Sequence, residues 1–242
     1  MIFVGRGSLL VRAVQCALSA GHRVDLVCSD APADRAKLAQ SSAPYAVVAD
    51  INAHADLLAT ECTDGIVWSI NNHMIFRAPV LDSGLRVYNI HNGLLPQHRG
   101  LPSVAVLFAL LNGDDEYGAT LHEVDAGIDT GRVLATQRFP IAPEARYHQV
   151  LLRGVQTCHQ IFRNSLQDVA DGRLLGPPQP SPHTYADTDA HAGYYGLRAL
   201  RQLGTYTGHP AYARATDLGV AAPYVPEVAD ALAQLRGAAP PR

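Results

Sequence analysis

Along roughly the first ninety residues, short apolar runs alternate with stretches whose apolar positions recur at helical spacing. Residues 2–4 read as a strand, followed by Gly5 and Gly7, and residues 8–20 as a helix that Gly21 ends. RVDLVCSD at 23–30 supplies a second strand and residues 34–40 a short helix. A strand at 45–48, a helix at 53–60, and the strands DGIVWSI (64–70) and RVYNI (86–90) complete this half. Strands separated by helices of this size predict an α/β fold with a mostly parallel central sheet, and right-handed crossovers put helices on both of its faces.

Beyond the middle the pattern changes. LPSVAVLFALLNG (101–113) predicts a helix stopped at Asn112-Gly113. YGATLHEV (117–124) and RVLATQRFPI (132–141) predict strands joined by DAGIDTG (125–131), and a long helix is expected over 144–170. GPPQPSP (176–182) carries too many prolines for regular structure and reads as a linker. A helix is expected over 193–203, and another over PEVADALAQLRG (226–237), with Pro226 at its start and Gly237 at its stop. The last residues, AAPPR, are expected to fray. The chain therefore divides into a catalytic unit at 1–175 and a linker with a short C-terminal extension at 176–242, an acceptor-site or oligomerisation element that leaves a homodimer open.

Charge narrows the partners. The formal net charge is -3 with 17% charged residues and no Lys/Arg-dense stripe, so no nucleic-acid partner is expected. No apolar run approaches the roughly 18 residues of a membrane span, and MIFVGRGSLLVRAV lacks the layout of a secretion leader. Four scattered cysteines without a CxxC pair read as reduced thiols, and a cytoplasmic location is expected. There is no HExxH, and the adjacent His122 and Glu123 are not a metal motif, so no metal is expected.

Two segments carry candidate chemistry. Gly5-Arg6-Gly7-Ser8 after the first strand invites a dinucleotide reading, but the pattern's third glycine would stand at position 10, where this chain has Leu10. VYNIHNGLLPQHRG leaves a strand with Asn89 and His91 two residues apart, hence on one face, with Ile90 facing the hydrophobic layer. A polar pair at the carboxyl end of a sheet strand stands where open α/β sheets bind ligands. HEVDAGIDTG then offers Glu123, Asp125 and Asp129, and a carboxylate near an imidazole orients it and favours its charged form. Spacing alone does not decide which carboxylate does so, nor whether Asn89 and His91 are more than satisfied loop residues.

NIHNGLLP followed by HEVDAGIDTG resembles the signature of the N10-formyltetrahydrofolate-dependent formyltransferases over roughly residues 1–175. That family includes glycinamide ribonucleotide transformylase, methionyl-tRNA formyltransferase, sugar N-formyltransferases, formylating domains of peptide-synthesis machinery and a formate-releasing hydrolase. The resemblance implies a Rossmann-like formyltransferase fold, N10-formyltetrahydrofolate as cofactor, and a small-molecule amine as partner. It places the family's catalytic asparagine, histidine and aspartate on Asn89, His91 and Asp129. The family commonly reads Asn-Ile-His-Pro-Ser at the first motif; Asn92 and Gly93 depart from this and bear on loop shape. By the same resemblance Met74, Ile75 and Phe76 wall a pterin slot, with Asp125, Gly127 and Ile128 on its opposite rim.

Direct transfer through a tetrahedral intermediate would use Asn89 and a protonated His91 on the developing oxyanion, with His91 and Asp129 relaying the proton. His98 and Arg99 are candidates for an anionic part of the acceptor, and the tyrosines from Tyr185 to Tyr224 for its pocket. Length and charge argue against initiator tRNA, which leaves an amino sugar, free or nucleotide-linked, or an amino-acid derivative. Three other classes stay open: a formyl-folate hydrolase, a nicotinamide-dependent oxidoreductase using Gly5 and Gly7, and a non-catalytic binding protein.

Overall fold

Continuous burial of short apolar runs sets the centre of the molecule. In the computed structural model, which describes residues 1–39, 41, 43–174 and 193–237, every residue of β1 (Ile2–Gly5), β2 (Leu26–Ser29) and β4 (Ile66–Ile70) is buried, as in strands covered on both faces. Between them run α1 (Gly7–Ser19), α2 (Pro32–Lys37), β3 (Tyr45–Val47), and a 3-10 turn (Ile51–His54) leading into α3 (Ala55–Glu61). The second half follows as α4 (Ala78–Leu81), β5 (Arg86–His91), β6 (Arg99–Gly100), α5 (Pro102–Asn112), β7 (Glu116–Glu123), β8 (Val133–Pro140) and α6 (Tyr147–Ala170). The extension holds β9 (Tyr194–Tyr195), 3-10 segments at Leu197–Tyr206 and Gly219–Tyr224, α7 (Tyr212–Ala215) and α8 (Pro226–Gly237).

Seven strands form one sheet in the order β3-β2-β1-β4-β5-β7-β8, parallel up to β5 and antiparallel beyond it. The order in which the chain adds strands reverses between β1 and β4, the switch point where α/β sheets open a ligand crevice at the strands' carboxyl ends. Gly5 is required there. A Cβ on it would lie 1.8 Å from the Ile70 carbonyl oxygen, so only a glycine lets β1 and β4 stay paired to their ends.

One face of the sheet packs α1 and α6 over Phe3, Trp68, Ile90 and Leu121; the other carries Val4, Leu58, Val67, Val80 and Val87. A third cluster joins α5 and α6 to the extension through Phe108, Tyr147, Leu203, Leu218, Val228 and Leu232. The extension is thus packed against the fold rather than trailing from it.

The expected elements stand, with local differences. The long helix starts at Tyr147 rather than 144, where the Gln149 side chain reaches back to accept from the Arg146 amide. In place of a helix from 193, Tyr194 and Tyr195 pair with β6, since Arg99 and Leu101 donate to the Gly193 and Tyr195 carbonyls; the helical turns after them are 3-10. The four-residue α4 had no counterpart in the sequence reading. GPPQPSP, Tyr185 and AAPPR lie outside the described residues. Among the described residues no helix is long and apolar enough to cross a membrane.

Trp68 is the only tryptophan and is fully buried, 5.0 Å from the Phe162 ring and 5.7 Å from Tyr88. Phe162→Ala is expected to destabilise the fold by about 3–5 kcal/mol through the cavity it leaves. Urea unfolding followed by Trp68 emission measures this, and a loss well below 1 kcal/mol would contradict the packing described.

Candidate active site

The site is built on the β5–β7 pair. Residues facing each other across an antiparallel pair share a face of the sheet. The register sets Asn89 opposite His122 and His91 opposite Thr120. Ile90 and Leu121, between them, belong to the core on the other face. Asn89, His91 and His122 all line one large cleft.

Each imidazole has its tautomer fixed by a backbone carbonyl, which only accepts. His122 Nδ1 donates to the Glu123 carbonyl at 2.7 Å, so its Nε2 accepts from the Asn89 amide at 3.0 Å. This orients Asn89 and leaves its second N–H uncommitted. His91 Nε2 donates to the His98 carbonyl at 2.6 Å, so Nδ1 is the ring atom turned to the acid.

Asp129 arrives from the loop between β7 and β8 and takes up a left-handed backbone conformation, φ 54°, which aspartate tolerates better than most residues. Its Oδ2 lies 3.5 Å from His91 Nδ1 and its Oδ1 3.6 Å from His122 Nε2. The Gly100 amide donates to Oδ2 at 2.8 Å. Neighbouring amides of an extended segment point to opposite sides: Arg99 and Leu101 donate to the extension, and Gly100 between them donates to Asp129. Gly100 sits at φ 98°, and a Cβ there would lie 2.8 Å from the Tyr195 carbonyl oxygen.

Electrostatics divide the pair. Burial alone would raise the Asp129 carboxyl, but His91, His122 and the Gly100 amide outweigh it and bring its pKa down to about 2. Burial pushes His91 below its ordinary value, and the Asp129 charge offsets this only in part. An ionised carboxylate thus stands beside a neutral imidazole at neutral pH. The protonated His91 that the sequence suggested as an oxyanion donor is disfavoured by its burial.

The structure disposes of the other sequence candidates unevenly. Met74, Ile75, Phe76, Asp125, Gly127 and Ile128 all line the cleft. Phe76 is nearly buried in the core, while Ile75 and Ile128 are exposed there. Asp125 accepts from the Gly127 amide and the Thr130 hydroxyl, which shapes the loop that carries Asp129. His98 is buried, accepts from the Leu94 amide and donates to Asp114 at 2.8 Å, so its side chain holds the loop and does not line the cleft. Arg99 likewise lies outside the lining, over the Tyr194 ring. Gly7 donates its amide to the buried carboxylate of Asp34, so an acid of the chain fills the helix N-terminus where a dinucleotide would set its phosphates. His122 and Asn72 were not anticipated: His122 needed the register, and Asn72 closes a turn on Met74. Among the described residues, the atoms closest to a metal-ligand set belong to Asp25, Cys62 and Asp64, but Asp25 is already held by Arg23 and Thr63.

The cleft measures about 2060 Å³, well above the roughly 300–1,000 Å³ of a single-ligand pocket, and has room for a folate and a second substrate together. Exposed Ile75 and Ile128 give the lining apolar surface on which a flat ring can rest.

A family model described as formyl transferase matches residues 1–166. A methionyl-tRNA formyltransferase from Dechloromonas aromatica is 34% identical over 158 residues, 59% of this chain and 50% of that protein. The chain spans between 29% and 65% of the length of the curated relatives it matches. Among solved structures, a sugar N-formyltransferase from a Shewanella species aligns with TM-score 0.67 and 19% identity over 88% of this chain and 85% of that one. Glycinamide ribonucleotide transformylase 1 from Symbiobacterium toebii aligns with TM-score 0.63 and 24% identity, covering 71% and 87%. With the fold in agreement and the family model spanning most of the chain, this protein belongs to the formyl transferase family.

Proposed function

We propose that this chain moves the formyl group of N10-formyltetrahydrofolate onto the primary amine of a small metabolite, with Asn89, His91 and Asp129 at the reacting carbon. The observation that carries the reading is the convergence of an amide, an imidazole and a carboxylate from β5 and a distant loop, with 3.5 Å between His91 Nδ1 and Asp129 Oδ2. An amino sugar, free or nucleotide-linked, is the favoured acceptor. The Shewanella sugar N-formyltransferase aligns over 88% of the chain and so reaches into the extension, against 71% for the transformylase.

When bound, the formyl-folate supplies an activated formyl carbon. The free Asn89 N–H stabilises negative charge growing on the formyl oxygen, a contribution of about 3–4 kcal/mol in comparable sites. Neutral His91 presents Nδ1 as an acceptor, and Asp129 Oδ2 is a second acceptor beside it. An amine N–H directed between them satisfies both, so His91 takes the amine proton as the new C–N bond forms. Ionised Asp129 stabilises the imidazolium, which returns the proton to the departing folate nitrogen. His122 keeps Asn89 aimed throughout.

Incubating the purified chain with formyl-folate and a panel of amines, then reading products by mass spectrometry, tests the reading. A formylated amino sugar is expected. Formate release independent of any amine would instead make it a hydrolase.

Asp129→Asn is expected to lower kcat about 100- to 1,000-fold while circular dichroism stays unchanged. The working form of His91 is neutral and burial lowers its pKa, so kcat/KM should fall only below the ordinary imidazole pKa of about 6.5. Asp129 raises His91, so removing its charge should move that acid limb to lower pH. For stability, the lowered Asp129 contributes above its unfolded value of 3.8, and that contribution is lost as pH falls towards about 2. Near-normal turnover in Asp129→Asn would remove its assigned role.

Gly100→Ala should displace the amide that holds Asp129, raising the carboxyl above about 2 and lowering kcat roughly tenfold. Carbon-13 titration of the aspartates, together with kcat, checks this. An unmoved Asp129 titration would sever the link to β6.

A further inference from the structure

Nine large apolar side chains are exposed among the described residues, and seven of them line the active-site cleft. Ile75 and Ile128 stand on the folate side. The other five, Leu101, Leu152, Leu197, Val220 and Tyr224, come from the segment after β6, from α6 and from the extension. Val220 is 68% and Tyr224 82% exposed. Apolar side chains scattered singly over a surface need no explanation, but their concentration in one groove marks a binding surface.

The charges of the cleft point the same way. Its arginines are Arg6 and Arg198, against the carboxylates of Asp34, Asp125, Asp129 and Glu227. Arg6 is paired with Asp30 near the carboxyl end of β1, on the folate side. That leaves Arg198 and Glu227 on the acceptor side, where Glu227 accepts from the Ser103 hydroxyl. Residues 175–192, outside the described part, contain no lysine or arginine in their sequence. Among the described lining residues Arg198 is the one arginine or lysine on this side, fewer than the clustered cations that commonly hold a diphosphate.

We infer that the acceptor half of the cleft selects a primary amine carried on an uncharged apolar body, alkyl or aryl, over one carried on a nucleoside diphosphate. The inference rests on the formyl-transfer reading and narrows its acceptor. The occupant is the acceptor itself because the apolar wall is continuous with the reacting centre: Leu101 follows Gly100, whose amide holds Asp129. Gln202 lines this half beside Ser103 and Asn112, which donate to Glu227 and Tyr195 and keep their oxygens as acceptors for a few hydroxyls, so two sources share this chemistry: an apolar glycoside of an amino sugar, and an ester of an apolar amino acid.

The test uses the full chain with N10-formyltetrahydrofolate and four amines: the phenyl glycoside of glucosamine, a nucleoside-diphosphate glucosamine, leucine ethyl ester and free aspartate. The inference expects kcat/KM at least tenfold higher for the glycoside or the leucine ester than for either anionic amine, and which of the two leads identifies the source. A nucleoside diphosphate accepted as well or better overturns it while leaving formyl transfer intact. Calorimetric binding of the same amines is read independently of turnover. Apolar preference in binding without any formylated product would sink the transfer reading and the acceptor role with it, leaving only an apolar amine-binding cleft. Leu197→Ser with Val220→Ser should raise KM for the preferred apolar amine about tenfold. An unchanged KM in a folded double variant, or one whose only effect is to break a dimer, would assign the wall to something other than the acceptor.

Discussion

The register of one antiparallel pair is the constraint on which the site depends. With β5 and β7 aligned so that Asn89 faces His122 and His91 faces Thr120, these four polar side chains share one face and Ile90 and Leu121 share the core face. A slip of one residue would exchange the two sets, burying the amide and imidazoles without partners and exposing two core side chains. Burial of Ile90 and Leu121 therefore does more than stabilise the sheet: it aims the chemistry. Thr120 adds to this from the same face, since its hydroxyl donates to the Gly93 carbonyl and accepts from the Leu95 amide, fixing the loop that leaves β5.

Backbone groups then decide what each side chain can do. The carbonyls of His98 and Glu123 accept from His91 and His122 and choose their tautomers. The Gly100 amide does the corresponding work for Asp129. Desolvation acts on both ionisable partners but with opposite outcomes. His91 has its lone pair towards the acid and one backbone acceptor behind it, so burial prevails and the ring is neutral. Asp129 accepts from the Gly100 amide, and the positive charge of a protonated imidazole beside it holds its pKa down to about 2 against burial. A base next to a fixed anion is the arrangement that general base catalysis needs at neutral pH.

What the sequence disclosed follows from the range of the physics. Asn89 and His91 were legible because a strand's two-residue period is local, and the parallel α/β pattern because buried strands are short, continuous apolar runs. Asp129 was placed through resemblance, since no periodicity says which of three acids a loop will return to a histidine. His122 was passed over because its role depends on which residue β7 sets beside Asn89, a contact between positions thirty-three apart. The structural place of His98 is hidden for the same reason: its partner, Asp114, comes from beyond α5. The Gly5 and Gly7 pair suggested a phosphate loop, but Gly5 answers to the approach of β4 and Gly7 donates to Asp34, neither of which is visible without the fold. The two-residue strand β9 was invisible because only pairing with β6 makes Tyr194 and Tyr195 a strand.

That small β6–β9 pairing joins the two halves of the cleft. Arg99 and Leu101 donate to the extension, and alternation then leaves the Gly100 amide no direction but towards Asp129. The extension that supplies Leu197, Val220 and Tyr224 to the lining of the cleft is the same element that pairs with β6. On the proposed reading, contacts to the non-reacting body of an acceptor and the position of the Asp129 carboxylate therefore share one mechanical support. Remote binding energy can serve the reacting centre only where such a connection exists. Here it runs through one strand pair of two residues on each side, which ties the extension to the position of Asp129 rather than leaving it an appendix to the fold.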